Sequence, residues 1–264
     1  MDVRPTAVAG RFYYGDPNKL QTHISQLMAS VSSEGKHHSE EAISGLIVPH
    51  AGYVFSGHTA AFGYQLLKEQ NEQFSRVVII GPSHRVAFSG CAIPSVKYFD
   101  TPLGKVPLDT QAIDKLSEND ICTVNDLAHE NEHCLEVQLP FLLRCLGGFS
   151  VVPILTGNVD MVSVAKLVET LWDTNTLLVV SSDLSHFHSY DDCVVLDNNS
   201  CSKIENGLPL TGHEACGHTS INAANLIINK RNRRLTRLSL TNSGDSPHGD
   251  KQRVVGYVSY AISR

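Results

Sequence analysis

The strongest constraint in this 264-residue chain is a set of short aliphatic runs, each followed within a few residues by histidine or aspartate. Gly45-Leu46-Ile47-Val48-Pro49 leads to His50, and Val77-Val78-Ile79-Ile80-Gly81-Pro82 leads to His84. Leu177-Leu178-Val179-Val180 leads through Ser181 and Ser182 to Asp183 and His186. Runs of this kind read as strands buried on both faces. In an open α/β sheet, ligands gather where the carboxyl ends of such strands converge. Imidazoles from distant parts of the sequence are therefore expected to share one crevice.

Strand and helix patterns alternate over most of the length. The aliphatic runs predict strands at 43–48, 76–80, 149–155 and 176–181, with two later strands at 234–240 and 253–262. Helical spacing marks 57–69, 161–172 and 217–229. Leu135, Leu139, Leu142, Leu143 and Leu146 form a further stripe, with Asn131 as the expected N-cap and a kink expected at Pro140. Residues 101–108 read as a turn-rich edge and 241–250 as a polar loop, while 187–212 carry no clear pattern. The expectation is α/β: a single domain over 1–264, with a central mixed, largely parallel sheet flanked by helices.

Composition narrows the function classes. The formal net charge is -6, with 21 Lys and Arg against 27 Asp and Glu, which argues against nucleic acid as a partner. The one basic cluster, at 230–234, suits a solvated helix end. No apolar stretch is long enough to cross a bilayer. The start, Met1-Asp2-Val3-Arg4-Pro5, lacks the apolar core of a secretory leader. Seven cysteines, an odd number without a C-x-x-C pair, read as reduced thiols. A cytoplasmic location is expected.

The polar residues suggest a metal site. His50 and His84 after strands are natural ligands for iron, zinc, copper or nickel. Asp183 and His186 form an Asp-x-x-His pair, open to ligation, to acid/base work or to simple N-capping by the aspartate. Cys216 precedes a helical pattern, where a thiol pKa is expected to be lowered. Its thiolate would serve as ligand or as nucleophile, with His186 and Asp183 completing a triad in the second case. A half-buried thiol beside a glycine turn is the plainer alternative. His129-Glu130-Asn131-Glu132-His133 matches the H-E-x-x-H zinc pattern literally. An Asn131 cap would put His129 ahead of the helix and off the required face, so the match is read as coincidence.

Taken together, several segments resemble the Memo family, the Memo-like component B of the AmmeMemoRadiSam system. These are Val8-Ala9-Gly10-Arg11-Phe12-Tyr13, Pro49-His50-Ala51-Gly52-Tyr53, Gly81-Pro82-Ser83-His84, the stretch from Glu132 to Pro140, and Ser181-Ser182-Asp183-Leu184-Ser185-His186. The resemblance implies a fold similar to class III extradiol dioxygenases, with Cys replacing the glutamate ligand of those enzymes. It implies His50, His84 and Cys216 as metal ligands, His186 as acid/base group, and Asp183 and His133 lining the pocket. It also implies functional partners in the AmmeMemoRadiSam system. Two departures stand out: His218 occupies a position where the family usually has Arg, and 187–212 is shorter than the resemblance implies.

The leading expectation is a Memo-like metal-binding protein, a non-haem iron or copper redox protein acting on O2 or a small-molecule substrate. Iron is expected first, copper second and zinc last. A metal-free binding or adaptor module with a vestigial pocket is the second expectation, and a zinc- or Cys-dependent hydrolase the third. Whether the protein is an enzyme, and its oligomeric state, are not legible in the sequence.

Overall fold

The structure, a computed structural model, describes residues 2–34, 41–71 and 73–264. The expected domain span of 1–264 therefore includes Met1, residues 35–40 and Glu72, which lie outside the described residues. The first elements are β1 (Val3–Arg4), α1 (Pro17–Glu34), β2 (Ile43–Val48), α2 (Tyr53–Gln70) and β3 (Arg76–Pro82). Short strands β4 (Cys91–Ile93), β5 (Tyr98–Phe99) and β6 (Val106–Pro107) follow, then α3 (Thr110–Ser117), β7 (Cys122–Val124) and α4 (Asp126–Glu130). A 3-10 turn at Glu136–Gln138 leads to α5 (Leu139–Cys145), β8 (Ser150–Thr156), α6 (Met161–Leu171) and β9 (Thr176–Ser181). The chain closes with β10 (His186–His188), α7 (Tyr190–Glu205), α8 (His218–Lys230), β11 (Arg234–Asn242) and β12 (Val254–Ser263).

The strands form a nine-stranded mixed sheet in the order β10-β12-β2-β9-β3-β8-β4-β7, with β11 paired to β12. Its centre, β2, β9, β3 and β8, is parallel throughout. Helices cover these strands, and the middle of each is fully buried, which is why they read as unbroken aliphatic runs rather than as alternation. The antiparallel pairings of β12 with β2 and of β4 with β8 make the sheet mixed. A small sheet of β1, β5 and β6 holds the turn-rich 101–108 segment. Buried side chains from both faces form one continuous hydrophobic cluster. The result is a single α/β domain. Among the described residues no helix is long and apolar enough to cross a membrane.

Three expectations need correction. Asn131 does not begin the leucine-stripe helix; it ends α4, which is capped at its start by Asn125 accepting from the Ala128 N–H. The stripe is divided between the 3-10 turn and α5, and Pro140 sits in the first turn of α5, where its missing N–H costs nothing. No kink arises because the proline begins a helix instead of interrupting one. Residues 187–212 contain a 16-residue helix, α7. Ser189 caps it by accepting from the Asp192 N–H, with Asp191 and Asp192 in its first turn. Its apolar face is weak because Val194, Val195 and Leu196 all remain partly exposed.

Candidate metal centre

The parallel register puts the carboxyl ends of β2, β3 and β9 on one side of the sheet. His50 follows β2, His84 follows β3 and Asp183 follows β9. Helix α8 packs over β3 and β9 and runs back along the sheet, so its first turn arrives at the same end. The loop before it is held close: the Cys216 N–H donates to the Asp183 carbonyl (3.3 Å) and the Gly217 N–H to Ser182 Oγ (2.9 Å). A Cβ on Gly217 would stand 2.7 Å from the Ser182 Cβ, so only glycine permits this approach.

His50, His84 and Cys216 each offer a ligand atom, and these three atoms lie within 4.8 Å of one another. The hydrogen bonds around the two imidazoles decide which nitrogen carries the proton. Ser181 Oγ donates to the Cys134 carbonyl (2.7 Å), which can only accept. The Gln138 amide donates to the Pro49 carbonyl and to Ser181 Oγ, both at 2.9 Å. Ser181 Oγ has thus spent its one proton, and His50 Nδ1, 3.0 Å away, must be the donor. The lone pair of His50 is left on Nε2, which lies 3.3 Å from Cys216 Sγ.

His84 is oriented by a carboxylate. Glu132 accepts from His84 twice, from its backbone N–H at Oε2 (2.6 Å) and from Nδ1 at Oε1 (2.9 Å). Oε1 also accepts the N–H groups of His133 (2.8 Å) and Cys134 (3.1 Å). His133 Nδ1 lies 3.1 Å from the same oxygen without a well-angled hydrogen bond. Burial pushes the Glu132 carboxyl up, but the close His133 ring nitrogen and the His84 donors outweigh it and leave it well below the usual carboxylate range. His84, Glu132 and His133 form a second group whose ligand atoms lie within 4.8 Å.

The remaining predicted residues surround this pair. Asp183 Oδ1 accepts the His50 N–H (2.7 Å), and burial pushes its carboxyl up. The His133 ring lies 5.4 Å from that of His50 and 4.7 Å from that of His84. Phe12 packs on its other side at 4.9 Å. His186, at the start of β10, acts electrostatically on both His50 and Asp183. Cys216 also lines an open pocket of about 300 Å³ with Ser83, Phe88, Thr156 and His218.

Burial governs the charge state. It pushes His50 well below its usual value, with the neighbouring His84 adding to the effect. The Cys216 thiol is pushed up to about 12, first by burial and then by the Asp183 carboxylate. This corrects the expectation of a lowered thiol pKa: Cys216 stands ahead of the first residue of α8, and desolvation outweighs the helix end. The arrangement also departs from a Cys216, His186 and Asp183 triad, since the imidazole beside Sγ is that of His50.

His129 belongs to α4, where its buried Nε2 lies 3.0 Å from the Ala92 carbonyl. It joins neither ligand group, and burial pushes it down to about 4. The literal H-E-x-x-H match is thus split between α4 and the turn after it. Sequence reasoning missed Glu132, Ser181 and Gln138 as orienting residues, although all three lie inside segments that carried the family resemblance. It also missed Arg4 and Glu136. Glu136 is fully buried and accepts from Arg4 Nη1 (2.7 Å), the Ala7 and Val8 N–H groups and the Tyr13 hydroxyl. Arg4 donates in addition to the His129 and Glu132 carbonyls, tying the amino-terminal segment to the turn that orients His84.

The chain is similar over nearly its whole length to known proteins. A family profile described as Memo-like protein matches residues 4–261. A MEMO1 family protein of Ignicoccus hospitalis is 35% identical over 283 residues, covering 98% of each chain. One from Nitrosopumilus maritimus is 31% identical over 274 residues, covering 97% of this chain and 98% of its own. The crystal structure of uncharacterized protein JW3007 from Escherichia coli K12 aligns at a TM-score of 0.56 and 12% identity. It covers 84% of this chain and 100% of that one, a likeness of fold alone. With its profile match and its curated relatives in agreement over nearly the whole length, this chain belongs to the Memo-like family.

Proposed function

We propose that this protein binds one redox-active transition-metal ion through His50, His84 and Cys216, and handles a small molecule or O2 beside it. The observation that carries the proposal is the freed lone pair on His50 Nε2, 3.3 Å from the thiol and turned there by Ser181. Two donors bound to one ion at about 2.0–2.3 Å stand about 3.5 Å apart in tetrahedral geometry, so the spacing suits a shared ion. The Glu132 bond to His84 supports the same reading, since ligating imidazoles commonly donate their other nitrogen to a carboxylate. Two imidazoles and one thiolate suit iron first and copper second; the soft thiolate favours Cu(I) over the carboxylate version of such a site. Zinc is the third choice.

When bound, the ion would supply one-electron chemistry and a Lewis-acidic position. The protein's own residues do the rest. Ser181 and Glu132 hold the two imidazoles in their binding tautomers. Asp183, pushed up by burial, is suited to hold a proton near His50, and His186 to exchange one with solvent from its half-buried strand. His133, packed between Phe12 and the two imidazoles, would donate to a bound small molecule.

The test is anaerobic titration of the wild type, Cys216→Ser and Cys145→Ser with Fe(II) and Cu(I), followed by O2 uptake with and without catechol-like compounds. Loss of metal affinity confined to Cys216→Ser is expected. Unchanged affinity would remove Cys216 from the ligand set. Metal binding without oxygen chemistry would leave a metal-binding protein with a partner in the AmmeMemoRadiSam system still to be sought.

A further inference from the structure

Cys91 opens β4 and Cys122 opens β7, and the two are in-register neighbours on parallel strands. In-register residues of paired strands point to the same face, about 4.8 Å apart along the hydrogen-bonding direction. Disulfide-linked residues usually have Cα atoms about 4.4–6.8 Å apart, so the backbone here already has the required spacing. It is also pinned. The Cys91 N–H donates to the Ile121 carbonyl (2.6 Å), the Cys122 N–H to the Asn119 carbonyl (2.9 Å) and the Asn125 N–H to the Ile93 carbonyl (2.9 Å). The shared register puts the two thiols on one face, and each acts on the other's acidity, raising Cys91 and lowering Cys122.

We propose that Cys91 and Cys122 are a peroxide-oxidisable dithiol, a modification site distinct from the centre around Cys216. Cys122 gives up its proton, and its sulfur attacks one oxygen of hydrogen peroxide. The O–O bond breaks, the departing hydroxide takes the proton Cys122 released to become water, and Cys122 becomes a sulfenic acid. Cys91 then attacks that sulfur. An S–S bond forms as the S–O bond breaks, and the oxygen leaves with the Cys91 proton as a second water. The two thiols lose two electrons, which reduce the peroxide.

Both side chains are buried, which excludes bulky oxidants but not one of nearly water size. The way in is the sheet edge. Strand β7 is terminal in the sheet and three residues long, and its Thr123 and Val124 are exposed, so it frays at little cost. The bond would staple β7 to β4 just before the Asn125 cap of α4, on the path to Glu132.

The experiment treats the full-length wild type with hydrogen peroxide and maps its peptides without reduction. Two of the seven thiols should be lost and regained with dithiothreitol, and one linked peptide pair should contain Cys91 and Cys122. In Cys91→Ser, Cys122 should pass instead to a sulfinic acid that dithiothreitol does not reverse. In Cys122→Ser, Cys91 should stay reduced. Absence of the linked pair in wild type that keeps its native circular dichroism overturns the proposal, as does linkage through Cys134, Cys216 or any other cysteine.

Discussion

Glu132 makes four hydrogen bonds with two oxygens, and two of them go to His84. Replacing it by glutamine keeps the shape but turns one oxygen into a donor that opposes the His84 and backbone N–H groups. Glu132→Gln should weaken metal binding about 10–100-fold, the usual cost of losing an orienting partner, measured by competition with a chelator. Wild-type affinity in that variant would show that His84 needs no carboxylate. The pH dependence has a definite sign. Cys216 must give up a proton to coordinate, and its thiol is pushed up to about 12. Apparent affinity should therefore fall about tenfold for each pH unit lost through the neutral range. His50, held well below its usual value, has no proton to release there and adds nothing to the slope. A flat profile from anaerobic titrations at several pH values would remove the thiol from the site.

At the scale of elements, the junction between β9 and α8 carries the site. Gly217 lets the start of α8 close on Ser182, and so sets where Cys216 stands relative to His50. Gly217→Ala should push the helix start outward. Overpacking of this kind costs about 1–3 kcal/mol, read as a lower urea midpoint, and metal affinity should fall with it. An unchanged midpoint would mean that the loop can shift without loss. The turn between α4 and α5 is the second junction. It places Glu132 under His84, Glu136 under the amino-terminal segment and Gln138 beside Ser181, three different tasks within seven residues. A continuous helix over this stretch would put Glu132 and Glu136, four residues apart, on one face, whereas here they serve different segments.

For the whole molecule, the buried Arg4 and Glu136 pair binds the first strand to the middle of the chain. Removing one partner strands a buried charge, so Arg4→Met should cost about 3–5 kcal/mol of stability. A double variant, Arg4→Met with Glu136→Leu, should recover part of that loss, because no buried charge remains. Chemical denaturation of the two variants beside the wild type measures both numbers, and a double variant no better than the single would mean that the Ala7, Val8 and Tyr13 donors left without Glu136 cost as much as the stranded charge. What the sequence by itself determined was the buried centre of the sheet and the strand ends that border the candidate site. Aliphatic runs over 43–48, 76–80, 149–155 and 176–181 specify buried strands through local pattern alone, and His50, His84 and Asp183 follow from chain position at the strand ends. Helix α7 escaped that reading because it buries only a narrow face and shows little apolar periodicity. Only the tertiary structure brought Cys216 to His50 across 166 positions, turned both imidazoles through Ser181 and Glu132, and raised the thiol that a helix end alone would have lowered. Those features depend on burial and on hydrogen bonds between distant segments, and neither leaves a periodic trace in a single chain.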